Sequence, residues 1–287
     1  MIDRRTLITA LPAFAIATGA APVLPGLRDA VRAAEAATGG RVGLTVHDTA
    51  TGRRFSHRGG ERFAMASTFK ALLAAAILHR IDAGKDSLDR AIAVAQTDIV
   101  SNSPVSESRV GRTATVGDLS EAAVIYSDNT AANLLLPAVD GPPGLTAFLR
   151  RIGDTVTRLD RYETMMSEAR PGDPRDTTSP DAVTATWECL LLGNVLSAAS
   201  RDQLTRWLVA NTTGDTRLRA GLPKGWIVGD KTGTGGHGTV NDIAIVWPTR
   251  AAQGPVIIAS LITGSTAAPI VTYKAHADLA AAIAASL

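Results

Sequence analysis

Ser67 and Lys70 stand three residues apart at the head of an apolar run that continues to Ala83. The run is rich in Ala, Leu and Ile and holds no Pro or Gly before Gly84, so it reads as a buried helix, 67–83, stopped by a glycine. Three-residue spacing puts the hydroxyl and the amine on one helical face. Ser67 falls in the first turn, where free backbone N–H groups and partial positive charge suit a developing alkoxide or oxyanion. Alone, the pair also describes a core helix with one surface lysine, since it arises by chance about once in a chain of this size. Two triplets change the balance: Ser127-Asp128-Asn129, and Lys231-Thr232-Gly233 running on into Thr234-Gly235. Singly, the first is helix-cap chemistry and the second a strand entering a bend. Each arises in roughly one chain in twenty, so all three motifs in this order are a coincidence on the order of a few in a thousand.

These residues must be brought together by elements far apart in the chain. Segment 27–37 has helical apolar spacing and ends at Gly39-Gly40. Segments 41–47 and 53–57 read as an antiparallel hairpin around a turn at 48–52. The middle is helix upon helix: 116–126, 130–139, a break at Gly141-Pro142-Pro143-Gly144, then 145–152. Ser179-Pro180 opens a helix to 192, and Ser200-Arg201-Asp202-Gln203 reads as the capping box of a helix to 208. Strands return at 226–231, 239–247 and 256–262, before a last helix over 272–287. The fold class expected is therefore α/β (α+β). One antiparallel sheet is built from both termini and covered by the N- and C-terminal helices, with an all-α lobe inserted and the active site in the cleft between. The expected division is 26–60 plus 213–287 for the α/β lobe and 61–212 for the helical lobe.

Composition narrows the function. The chain has 287 residues, 45% hydrophobic and 20% charged, enough for a real core. A formal net charge of only +2 with interspersed signs excludes a nucleic-acid footprint. Cys189, the only cysteine, sits in an apolar helical segment and reads as a buried, inert thiol. His47, His57, His79, His237 and His276 show no paired-ligand spacing, so no metal is expected. Arg4-Arg5, the apolar run 7–24 and the small residues Thr18-Gly19-Ala20-Ala21 make 1–25 an expected export signal of twin-arginine type. Pro12 and Pro22 argue against a stable spanning helix, so no lasting membrane insertion is expected. The mature protein would act in the periplasm or be secreted.

With these motifs in hand the chain resembles the class A serine β-lactamases and, more distantly, the penicillin-binding proteins. The likeness covers essentially everything after residue 25. Arg161-Tyr162-Glu163 with the segment Gly172 to Thr178 looks like the omega loop of that family, and Thr212-Thr213-Gly214 to Arg217 like the segment before the Lys-Thr-Gly strand. The resemblance implies hydrolysis of the β-lactam amide of penicillin- and cephalosporin-type antibiotics by a monomer needing no cofactor.

A β-lactam is an acylating agent, so its hydrolysis needs a nucleophile, a base for each half-reaction, an oxyanion hole and an anchor for the substrate carboxylate. Ser67 is the expected nucleophile, Lys70 its base or proton relay, and Ser127 the donor to the departing ring nitrogen. Asn129 would hold the substrate side-chain amide and orient Lys70. The backbone N–H groups of Ser67 and Thr234 would form the oxyanion hole. Lys231, Thr232 and Thr234 would meet the carboxylate, and by family resemblance Arg217 adds a second cation. Many relatives place that arginine on the neighbouring strand, where this chain has Val240. Glu163 would activate the deacylating water, with Arg161 and Asp176 pairing to close its loop. Ser167 stands where relatives usually carry an asparagine that helps hold this water, and Asn102 where many carry an aromatic cleft wall. Ala66 and Gly235 occupy positions that are cysteines in one carbapenem-hydrolysing subgroup. The alternative is a transpeptidase, carboxypeptidase or antibiotic sensor of the penicillin-binding type that acylates but releases slowly. A non-catalytic binding domain would have little reason to hold Ser67, Lys70, Ser127 and Lys231 together.

Overall fold

The computed structural model describes residues 26–249 and 254–287; the expected export signal lies outside the described residues. Val, Ile and Leu dominate the strands at both ends of the chain, and these strands pair with one another. In chain order they are β1 (Arg41–Asp48), β2 (Arg54–His57), β7 (Ile227–Gly235), β8 (Thr239–Trp247) and β9 (Val256–Thr263). Among the described residues they form a five-stranded antiparallel sheet in the order β2-β1-β9-β8-β7. Leu44 faces Ser260, and Val46 faces Ile258, across the junction of the two chain ends. Strands β1, β8 and β9 are buried almost throughout, because both faces of the sheet are covered. Helices α1 (Leu27–Thr38) and α9 (Pro269–Ser286) cover one face, where Leu27, Val31, Val46, Ile258, Leu279 and Ile283 share a core. On the other face Ile243, Ile245, Ile257 and Leu261 join a core shared with the helical part.

At the centre of that second core lies α2 (Phe69–Asp82), preceded by a 3-10 turn over Ala66–Thr68. Every residue from Phe69 to Leu78 is buried, which is why this helix has no polar face. Around it run α3 (Val116–Ile125), α4 (Asn129–Leu135), α5 (Gly141–Arg151), α6 (Pro180–Leu191), α7 (Ala198–Val209) and the short α8 (Leu218–Gly221). Two small ladders pin the connections: β3 (Phe63–Ala64) pairs with β6 (Thr177–Thr178), and β4 (Ala91–Ala93) with β5 (Thr113–Thr115). Caps follow from sequence. Thr115 and Asp118 exchange side-chain and backbone bonds at the start of α3, and Ser179 caps α6 through the Ala182 N–H. Trp187 and Trp207 are both core residues.

Several expectations are corrected. The Gly-Pro-Pro-Gly stretch does not break the chain but forms the first turn of α5, where a proline's missing N–H has no partner to lose. Helix α7 starts at Ala198 under a Ser197 cap; Ser200 lies inside it and donates to Asp82 Oδ1 at 2.7 Å. The strand expected over 226–231 runs on through the Lys-Thr-Gly-Thr-Gly segment to Gly235, since Thr232 pairs with Asp242 and Thr234 with Val240. The last helix begins at Pro269, three residues earlier than 272, and Cys189 is half-buried rather than buried. Helix α2 and its neighbours at the edge of β7 are what position the chemistry.

Candidate active site

Ser67 sits in the 3-10 turn ahead of α2, just after Ala66, whose φ of 45° is unusual for a residue with a side chain. Three contacts hold that strained turn. The Met65 N–H donates to the Asp176 carbonyl at 2.9 Å, and the Asn241 amide donates to the carbonyls of Ala64 (2.8 Å) and Met65 (3.1 Å). The third is close approach of β7: a Cβ at Gly233 would lie 2.6 Å from the Met65 carbonyl oxygen, so glycine is required there. The Lys-Thr-Gly strand therefore runs directly beside the serine turn.

Lys70 is 0% exposed. Its Nζ lies 2.9 Å from Ser67 Oγ, 2.8 Å from the Ser127 carbonyl, 2.5 Å from Asn129 Oδ1 and 3.5 Å from Ser127 Oγ. Burial pushes its pKa below the usual lysine value, against the opposing pull of Glu163. Asp128 makes this meeting possible by capping α4 at Ala131 N (2.8 Å) and accepting from Val105 N, Ser106 N and Ser106 Oγ. Ser127 itself is held at a φ of 57°. The Asn129 amide nitrogen donates to the Ser101 carbonyl at 2.8 Å, so one of its two N–H groups is already committed within the protein.

Glu163 is 5% exposed, and its Oε1 lies 3.3 Å from both Ser67 Oγ and Lys70 Nζ. Ser167 Oγ donates to the other carboxylate oxygen at 2.9 Å, so Ser167 braces the carboxylate directly. In the same loop Arg161 Nε donates to Asp176 Oδ2 at 2.6 Å, and Asp176 Oδ1 accepts the N–H groups of Asp160 (2.7 Å) and Arg161 (3.0 Å). Arg161 also pairs with Glu168 at 2.9 Å. Met166 is buried beneath the loop, whereas Met165 faces solvent.

Another side of the cleft is built by β7 and the segment before α8. Lys231 is 0% exposed, and its Nζ donates to the Thr232 carbonyl at 3.1 Å. Burial first, and the neighbouring charge of Lys70 second, bring its pKa down to about 7. Arg217 is 5% exposed. Its guanidinium donates to the carbonyls of Gly233 (3.0 Å) and Asn241 (2.6 Å) and to Thr234 Oγ1 (2.8 Å). Thr213 and Thr232 share a hydroxyl hydrogen bond at 2.5 Å. A cleft of about 370 Å3 results, lined by Ser67, Ser127, Asn129, Glu163, Ser167, Arg217, Thr232 and Thr234 among others, while Lys70 and Lys231 are fully buried behind those side chains. A larger open hollow, about 910 Å3, contains none of these groups and is not where the chemistry converges.

The structure thus brings together every residue singled out from sequence, Arg161 and Asp176 acting through the loop. It adds Asn133 and Asn241, which the sequence reading missed, and gives bonds to Asn102 and Thr213, which it named without a contact. Asn133 grips Glu163 at both backbone groups, accepting from its N–H (2.9 Å) and donating to its carbonyl (2.8 Å). Asn133 follows Asn129 by four residues, and that helical spacing was the available signal. The Asn102 amide donates to the Ser127 carbonyl at 3.1 Å, so this residue supports the Lys70 acceptor as well as lining the cleft. Asn241 gave no local signal. His237 is exposed and outside the cleft lining, while His47 and His57 lie beside Glu188 and Glu35 in ion-pair positions.

Residues 26–287 match the model of the β-lactamase enzyme family. The chain is 46% identical over 280 residues to β-lactamase L2 of Stenotrophomonas maltophilia, spanning 96% of this chain and 91% of the relative. It is 50% identical over 222 residues to the carbapenem-hydrolysing β-lactamase KPC of Klebsiella oxytoca, spanning 77% and 75%. Among solved structures, an ancestral Gram-negative class A β-lactamase superposes with a TM-score of 0.89 at 56% identity, covering 91% of this chain and all of the other. A β-lactamase from Xanthomonas campestris gives 0.89 at 46% identity, covering 92% and 98%.

Proposed function

This chain belongs to the class A β-lactamase family and hydrolyses β-lactams, and from that premise we propose how its own residues carry the reaction. Lys70 works as a neutral amine, the form that burial favours. Its two N–H groups go to the Ser127 carbonyl and Asn129 Oδ1, the two short contacts, which leaves the lone pair facing Ser67 Oγ at 2.9 Å. Ser67 gives up its proton and its Oγ attacks the β-lactam carbonyl carbon. The oxyanion is met by the backbone N–H groups of Ser67 and Thr234. As the C–N bond breaks, Ser127 hands a proton to the ring nitrogen and recovers one from the Lys70 side. Glu163 then takes a proton from water, the hydroxide attacks the ester, and Ser67 Oγ leaves and is reprotonated. Destroying the acylating ring is what gives antibiotic resistance.

One observation carries this reading: the Glu163 carboxylate lies 3.3 Å from the serine oxygen, well within reach of a water attacking an ester there. Ser167 and Asn133 brace that carboxylate at the side chain and the backbone. The expected result with purified protein is many turnovers of a chromogenic cephalosporin per active site. A plateau after one product per enzyme would assign the chain to the acylating penicillin-binding type instead.

Lys231, Thr232, Thr234 and Arg217 anchor the substrate carboxylate, which sets a pH dependence. With a pKa of about 7 in the free enzyme, Lys231 is charged below that pH and neutral above it. Lys70, Asp230, Arg217 and Asp242 act on it, burial dominating. KM for a carboxylate-bearing β-lactam should therefore rise as pH rises from 6 to 8.5, approaching at most about tenfold per unit above the pKa. A KM flat across that window would remove Lys231 as a titrating anchor.

The reading extends to the whole chain. Residues 26–60 and 213–287 form the α/β lobe and 61–212 the helical lobe, with the cleft between. Residues 1–25 direct export, by the twin-arginine route given Arg4-Arg5, so the enzyme works in the periplasm or outside the cell. Among the described residues no helix is long and apolar enough to cross a membrane. A monomer suffices, since one chain supplies every group in the cleft.

A further inference from the structure

We propose that Tyr273, on the C-terminal helix α9, is a positioning residue for the carboxylate anchor: its ring lies against the Arg217 guanidinium and holds that cation in place without neutralising it. The guanidinium carbon lies 4.8 Å from the ring centroid, cation–π distance. Every other partner of Arg217 is also uncharged: the carbonyls of Gly233 and Asn241 and the hydroxyl of Thr234. Its Nε is buried with no hydrogen-bond partner. Among the described residues no carboxylate is ion-paired with it, and Asp242, the acid whose charge Arg217 does act on, is held toward its protonated form by burial and by Asp230, which outweigh that pull. One helical turn beyond Tyr273, His276 is fully buried on the same side of α9. Its Nε2 faces the Val240 carbonyl at 3.2 Å and must carry the hydrogen, so Nδ1 accepts from Ser260 Oγ at 2.8 Å. Burial, reinforced by the Arg217 charge, lowers its pKa to about 3, so it stays neutral.

A buried cation ordinarily needs a counter-ion, and a carboxylate in the protein would meet that need at the expense of the ligand. Here a π face, two carbonyls and a hydroxyl fix the guanidinium in direction while leaving its charge for a carboxylate entering the cleft. Tyr273 is not among the residues lining the cleft, so its ring touches Arg217 and not the substrate.

This inference rests on the reading of Arg217 as a carboxylate anchor, and the test separates the two. Steady-state kinetics with a carboxylate-bearing cephalosporin would compare Tyr273→Phe, Tyr273→Leu, Arg217→Ala and the Tyr273→Leu/Arg217→Ala double variant. Expected is a Phe variant like wild type, because the ring is retained, and a Leu variant whose KM rises about fivefold to tenfold with kcat unchanged. In the Arg217→Ala background the Leu change should then add less than about twofold, because the ring has no cation left to hold. A Leu effect of equal size in both backgrounds, or a Phe variant as impaired as Leu, overturns the inference and leaves the anchor standing. An Arg217→Ala variant with wild-type KM overturns both. Unchanged kcat in the single Tyr273 variants shows that the fold is intact.

Discussion

Ser67→Ala lowers β-lactam turnover on the order of 10^6-fold, the scale of deleting a serine hydrolase nucleophile, while leaving the protein folded. Ser67 Oγ is the hydroxyl within 3.3 Å of both the Lys70 amine and the Glu163 carboxylate. Ser127 Oγ, at 3.5 Å from the same amine and without a bond to the carboxylate, cannot take its place. Removing the Ser67 hydroxyl leaves Lys70 bonded to the Ser127 carbonyl and Asn129 Oδ1, so the buried amine is not orphaned. Steady-state rates with a chromogenic cephalosporin check the loss, and circular dichroism checks the fold. A variant retaining activity within about 100-fold of wild type would mean that the covalent route is not the operating one.

Glu163→Ala separates the half-reactions. Losing a positioned general base lowers kcat about 10^2- to 10^4-fold, and the loss falls on deacylation alone. The reason is the sign of the coupling between Glu163 and Lys70. Glu163 raises the Lys70 pKa through its charge and hydrogen bond, opposing burial, so its removal leaves the amine still more fully neutral. Acylation then keeps its base while water attack on the ester loses one. Rapid mixing should show a burst of one product per enzyme followed by slow turnover. Because Asn133 bonds to the backbone of residue 163, the loop should retain that tether in the variant.

The fold was legible where burial repeats in the local pattern. The strands 239–247 and 256–262 and the buried helix after Ser67 followed from continuous apolar runs, and the Ser179-Pro180 start of α6 from cap chemistry. The errors were local ambiguities decided by tertiary context. Gly141-Pro142-Pro143-Gly144 satisfies a loop rule and a helix-start rule equally, and Ser197 and Ser200 compete for one cap. At the site, the meeting of Ser67, Lys70, Ser127 and Glu163 was legible because the first three sit in motifs and Glu163 in a loop segment that carries the family resemblance. What no motif contained was the bracing: Asn241 reaching 176 residues back to Met65, or Asn133 gripping Glu163 across 30 residues of chain. The neutral surroundings of Arg217 were equally invisible, since Tyr273 and His276 read as ordinary positions on an alanine-rich helix. Such contacts carry no short-range signature, because their partners are set by the packing of α4 on the loop and of α9 on the sheet.

The central claim is that acylation and deacylation rely on different bases in one cleft, and intact mass spectrometry tests it most directly. Glu163→Ala mixed with a penicillin for seconds to minutes should gain the full mass of the drug on Ser67 and keep it, while wild type at the same time point carries none. Wild-type-like regeneration by the variant, or a variant that never gains the adduct, would contradict the account.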